Sequence, residues 1–217
     1  MTTNLFNIFD PSTLIMNANL NWISALFIII LLPNFLWIMP NRLKWLLMKM
    51  FNMLNNEMLM LYKSKNIKSP SFLFITLFMF IFLNNFLSLF PYIFSSSSHM
   101  IFSMTLAMPF WFFFIILSII KNTKNMIAHL IPLSTPIYLA PLMTIIETMS
   151  IFIRPFSLSI RLTANMIAGH LLMTLLNSSS MMIIILFIQM FMMMFELCVA
   201  LIQSYVFSIL SSLYSSE

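Results

Sequence analysis

The chain has 217 residues, 61% of them hydrophobic and only 7% charged, with a mean hydropathy of +1.01 and a formal net charge of +5. These values lie far outside the soluble-globular norm and place it in the integral membrane class. They leave no segment both long and polar enough for a soluble catalytic domain, and the few basic residues give no nucleic-acid surface. The apolar runs lack the alternation of a barrel strand, so an all-α membrane fold is expected. Cys198 is the only cysteine. It excludes an internal disulfide or a cysteine-based metal site and reads as an apolar filler; no cofactor or metal is expected. No lysine or arginine precedes Arg42, so membrane insertion without a cleaved basic address is expected.

In chain order, residues 1–19 read as a polar tail with Pro11 in a turn. Residues 20–39 form the first expected span, long enough for a hydrocarbon core of about 30 Å, with Pro33 near its end. Residues 41–62 differ in kind. Arg42, Lys44, Lys49, Asn52, Asn55, Asn56 and Glu57 are scattered among Leu, Met and Trp45. That is the pattern of an amphipathic helix lying in the interface, with Trp45 at headgroup depth. Lys63, Lys65 and Lys68 then make a basic loop. Residues 71–94 are the second span, with Asn84 and Asn85 expected to bond across to a neighbouring helix.

Residues 95–99 read as an uncharged hairpin loop, 100–120 as the third span and 121–125 as a basic loop. His99 and His129, in or near loops, are expected to be solvated. Pro132 and Pro136 exclude one regular helix over 128–140, so a turn and a short interfacial piece are expected there. Residues 141–176 and 181–214 are the fourth and fifth spans. At 1.5 Å per residue each is about 50 Å long against a core of about 30 Å, so each is either broken or strongly tilted. A long, strongly tilted pair, able to lie along a curved partner, is the expectation. The basic residues fall after spans one and three, while the other loops and the tail carry none. Five spans therefore alternate with the N-terminus outside and the C-terminus inside.

The fourth span carries charges that lipid does not tolerate alone. A charge at mid-membrane costs about 2.5–3.5 kcal/mol on insertion scales, so such groups face a partner or a wet cavity. Glu147, Arg154 and Arg161 recur every seven residues on one helical stripe, and Asn165 lies one turn beyond Arg161. His170, nine residues from Arg161, looks the opposite way. On the last helix Gln189, Glu196 and Gln203 also stand seven apart, with Glu217 two heptads further on. Folded back antiparallel, that helix brings Glu196 toward His170 at the outer side and Glu217 toward Glu147 at the inner side. Two titratable sets then lie at different depths, separated by an arginine that stays protonated. That describes two half-channels that do not join. Blander roles remain open: Arg161 pairing with Glu196, Arg154 snorkelling, Glu147 favouring a helix dipole, and the glutamines as helix glue. Scattered histidines do not suit a bis-histidine haem, and no internal repeat marks a secondary transporter.

The run PLMTIIETMSIFIRPFSLSIRLTANMIAGHLLMTLL, above all RLTANMIAGH, together with ELCVALIQSYVFSILSSLY, resembles the subunit a family of rotary F-type ATP synthases in its mitochondrial form. NNFLSLFPYIF and TLAMPFW are similar to that family's middle spans. The resemblance implies a non-catalytic stator subunit in the mitochondrial inner membrane, facing a ring of c subunits beside other membrane and peripheral-stalk subunits. By position it implies that Arg161 is the arginine facing the ring. Glu196 and His170 would belong to the half-channel open to the intermembrane space. Glu147, with Glu217 as a second candidate, would line the exit to the matrix, and Asn165 and Gln203 would lie close to the arginine. Two departures stand out: Ser134 where the family usually has glycine, and Arg154 where many members have glutamine. Against this stands a membrane subunit of another ion transporter, or one whose buried charges only pair helices.

Overall fold

The computed structural model describes residues 8–13, 18–27, 41–62, 70–90, 93–131, 136–177 and 182–216. Among them are five α-helices: α1 Arg42–Tyr62, α2 Pro70–Ser88, α3 Met100–His129, α4 Ala140–Asn177 and α5 Met182–Ser216. Short 3-10 turns occupy Leu20–Ala25, Ser96–Ser98 and Ile137–Leu139. Four stretches are long and apolar enough to cross a membrane: Ser71–Ser88, Met100–Ile120, Ala140–Asn177 and Ile185–Leu213. Of the first expected span, the described part is the 3-10 turn and two residues after it. Residues 28–39, Lys63, Lys65, Lys68, Ser134 and Glu217 lie outside the described residues.

Pro70 opens α2, where its missing N–H is no loss. That helix stops at Ser88, short of residue 94. Pro91 disfavours helical geometry in the residue before it, which ends the run early. The helix α3 is longer than its apolar stretch, running on through Lys121 and Lys124 to His129. The expected basic loop at 121–125 is thus helical. Lysine is a good helix former and favourable near a helix C-terminus, so charge ends the apolar run without ending the helix. Pro132, just beyond, marks where the helix cannot continue. Both α4, with 38 residues, and α5, with 35, are continuous, so neither is broken.

The helices meet around one apolar cluster of Leu77 and Ile81 from α2, Ala107 from α3, Leu158 and Leu162 from α4, and Phe207 from α5. The pairs α2–α5 and α3–α4 run along each other most extensively. On α5, Ser204, Ser208 and Ser212 are fully buried at four-residue intervals. Each hydroxyl donates to its own helix, to the carbonyls of Leu201, Tyr205 and Ile209, at 2.7–2.9 Å. The side chains are therefore small and self-satisfied, which lets backbones approach closely in an apolar medium. α1 packs against α2 and α5, and Tyr205 donates its hydroxyl to Glu57 Oε2 at 3.0 Å.

Around the Ser95–His99 turn two sequence expectations change, those for His99 and for the Asn84–Asn85 pair. The Ser95–Ser98 stretch is buried against α2, α3 and α4, with Ser95 and Ser98 hydroxyls 2.9 Å apart. His99 is packed, not solvated: its Nε2 is 2.9 Å from the Phe9 carbonyl and its ring lies against Trp22 and Phe94. Its neighbours are aromatic, and a half-buried imidazole there needs that carbonyl. Asn84 bonds to its own Phe80 carbonyl and to Ser96, not to a neighbouring helix, while the Asn85 amide is fully buried with no partner among the described residues. His129 has a side chain outside the described set.

Candidate functional site at the junction of the last two helices

Arg161 sits midway along α4 with its side chain exposed, flanked by exposed Ile160, Ala164 and Asn165. Behind it, Leu158 and Leu162 are buried in the apolar cluster. The 3.6-residue period produces this division: the leucines turn inward while Arg161 and Asn165 share the outer stripe. Among the described residues the guanidinium makes no ion pair. The Arg161 backbone is held: its carbonyl accepts a bond from Gln203 Nε2 at 3.1 Å. Gln203 is 7% exposed and, with Arg161, Leu158, Leu162, Val206 and Phe207, lines a small void between α4 and α5.

Eight residues further along α4, Gly169 meets Glu196, seven residues back along α5 from Gln203. The two helices are thus antiparallel in near-constant register at this site. A Cβ at Gly169 would stand 2.8 Å from both Cδ and Oε1 of Glu196. The missing side chain at Gly169 lets the carboxyl group lie directly on the α4 backbone. His170 follows immediately, half-buried, its ring edge-on to Phe9 with centroids 6.1 Å apart. His170 Nε2, Glu196 Oε1 and Gln203 Oε1 are all buried without a protein partner among the described residues. Buried polar atoms of this kind are normally met by water; those of Glu196 and Gln203 lie where α5 meets α4, and that of His170 lies on the neighbouring turn of α4 beside Phe9.

On the other side of Arg161 along α4, Arg154 Nη2 lies 3.8 Å from Glu147 Oε1, with both side chains partly exposed. The seven-residue spacing places the two on one face, and the long arginine stem closes two turns of helix. Arg154 is therefore tied to Glu147 within its own helix. At 1.5 Å per residue, Glu147 lies about 21 Å and His170 about 13 Å from Arg161 along the axis, in opposite directions. The structure brings Glu196 to Gly169 and Gln203 to Arg161, and it leaves Glu147 in a separate group. Gln189 is half-buried further along α5.

Three contributors are not singled out by the sequence. Phe9 lies in a stretch that reads as a tail, 161 residues from His170. The serine stripe of α5 is visible there only as a four-residue repeat. Trp111 donates its indole N–H to the Ile151 carbonyl at 3.0 Å, a pairing at which Pro155 alone hints.

The family model for the ATP synthase A chain matches residues 14–216. The chain belongs to that family. It is 83% identical over 217 residues to the ATP synthase F(0) complex subunit a of Rhopalosiphum padi, with all of both chains covered. It is 46% identical to the ATP synthase subunit a of Aedes aegypti and 45% identical to that of Locusta migratoria, covering all of this chain and 99% of each relative. Glu147, Arg161, Asn165, His170, Glu196 and Gln203 all fall inside the stretch matched to the family, and Glu217 lies one residue beyond it.

Proposed function

We propose that this chain is the proton-translocating stator subunit of a mitochondrial ATP synthase membrane sector, a non-catalytic multi-pass component of the inner membrane. Its partners are a ring of c subunits, other membrane and peripheral-stalk subunits of the synthase, and lipid. Five spans cross the bilayer, one of them over 20–39, with α1 in the matrix-side interface. The N-terminus faces the intermembrane space and the C-terminus the matrix, because the basic segments lie on one side. Helices of 38 and 35 residues exceed a core of about 30 Å, so α4 and α5 lie strongly tilted, matching the curve of a ring.

One observation carries the reading: an exposed arginine on an apolar helix face, with no counter-ion among the described residues, stands between two polar groups at different positions along α4. A lone guanidinium in lipid is costly and does not lose its proton, so it calls for an anion brought by a partner. A carboxylate on a rotor helix meets that need. A proton taken up from the intermembrane space near His170 and Glu196 neutralises that carboxylate, which can then turn into lipid. After nearly a full turn the proton leaves beside Glu147, with Glu217 near the same exit. The ionised carboxylate then passes Arg161, with Asn165 on the same face and Gln203 holding the arginine's backbone. The driving force is the membrane potential, worth about 2.3 kcal/mol per charge per 100 mV.

The competing reading, a membrane subunit whose charges only pair helices, is less well supported, because the Glu147–Arg154 pair lies within one helix. Arg161→Ala separates the two. In the assembled complex it should abolish proton transport coupled to ATP turnover. Loss of assembly, with normal coupled transport in the complexes that remain, would support the structural reading instead.

A further inference from the structure

Proline at position 155 has no N–H, so the carbonyl four residues back, that of Ile151, has lost its helical donor. Pro155 is buried in the middle of α4, where water does not supply a substitute. Trp111 of α3 does: its Nε1–H donates to the Ile151 carbonyl at 3.0 Å. The indole is 9% exposed and wedged beside Phe152, with ring centroids 5.0 Å apart. It lines an apolar cleft with Phe114, Pro155, Leu158 and Phe207, the last two belonging to the central cluster. A tryptophan N–H buried in apolar surroundings also needs an acceptor, so each group satisfies the other.

This contact lies at a sensitive point of α4. Pro155 directly follows Arg154 and precedes Arg161 by six residues. One half of the helix carries the Arg154–Glu147 pair, and the other is fastened to α5 through Gln203 and the Arg161 carbonyl. Between them lies a turn that lacks one of its own hydrogen bonds. Arg161 lies about 9 Å along the axis from that turn. A change of direction there of about 10° moves the arginine by roughly 1.5 Å, and errors near 1 Å cost up to about a hundredfold in reactive geometries.

We infer that Trp111 is a positioning residue for proton translocation: by taking over the carbonyl that Pro155 frees, it sets the direction in which the second half of α4 presents Arg161. The inference rests on the proton-translocation reading above. It differs from simple packing because it assigns the effect to one N–H and ties it to one proline.

The test is a double-mutant cycle in the assembled synthase, with coupled proton transport measured per complex. Trp111→Phe keeps a ring and removes the donor, and should lower transport about tenfold. Pro155→Ala restores the helical donor and removes the proline's own geometry, so it should also lower transport. Because Pro155→Ala gives the Ile151 carbonyl its own helical donor, α4 no longer depends on the indole N–H, and adding Trp111→Phe should cost transport nothing further. Effects that multiply, or full transport in Trp111→Phe, would overturn the inference. Should Trp111→Phe fail to assemble, the double variant decides: assembly at the level of Pro155→Ala supports the inference, and failure contradicts it. A Raman difference spectrum, wild type minus Trp111→Phe, isolates the Trp111 indole. Its N–H band should lie at the hydrogen-bonded position, and a band at the free-indole position would count against the contact. This last readout does not depend on what Arg161 does, so it separates failure of the inference from failure of the functional reading.

Discussion

At the scale of single residues, Gly169 is a position of close approach, since a Cβ there would stand 2.8 Å from the Glu196 carboxyl. Alanine favours helix over glycine by about 1 kcal/mol, and the obstructing atoms end a flexible side chain, so stability should survive Gly169→Ala. What moves is the carboxylate. We expect normal assembly and coupled proton transport per complex reduced about fivefold, because reacting groups tolerate little displacement. Adding Glu196→Asp, which draws the carboxyl back by one methylene, should recover part of the loss. Unchanged transport in Gly169→Ala would remove the Glu196 position from the path. The sequence makes part of this site legible. Heptad spacing puts Glu147 and Arg154 on one face, and they meet at 3.8 Å. Antiparallel folding brings Glu196 to the His170 end of α4, where it lies on Gly169. It does not make legible the pairings of Phe9 with His170 and Trp111 with Ile151. Those depend on how separate elements dock, which no local period encodes.

Among the elements, the α4–α5 seam is held by a few polar contacts in an apolar setting. There is no hydrophobic drive between helices in lipid, so packing and hydrogen bonds carry the association. Gln203→Leu keeps bulk and removes the donor to the Arg161 carbonyl. It should destabilise the folded subunit by about 0.6 kcal/mol, the average for interhelical bonds in membranes, and by at most about 1.7 kcal/mol. Detergent-denaturation midpoints of the purified complex would measure this, and no shift would show the bond to be incidental. The elements themselves are largely legible in the sequence, since apolar runs of this length have few alternatives to helix. Their ends are less so. Lys121 and Lys124 read as a loop because charge interrupts the apolar pattern, yet α3 passes through them. Residues 95–99 read as an uncharged hairpin loop, and the packing of that loop is not in its pattern: Ser95 and Ser98 bond to each other, Ser96 bonds to Asn84, and the stretch lies buried.

For the whole molecule, the outward faces of α4 and α5 are apolar, with Ile146, Met149, Ile153, Phe187, Phe191 and Met194 all more than half exposed. A surface of this kind is stable only against lipid or another apolar protein. Across it Arg161 divides the polar groups into one set at His170 and Glu196 and another at Glu147. The proposed function requires these sets to open to opposite sides without joining. Glu196→Cys and Glu147→Cys, each made in a Cys198→Ser background, test this through labelling by a small membrane-impermeant thiol reagent added from each side of the membrane. Cys198 is itself exposed, so the background substitution is needed. Position 196 should react only from the intermembrane-space side and position 147 only from the matrix side. Labelling of both positions from a single side would reveal one continuous aqueous path, and would contradict the rotary reading.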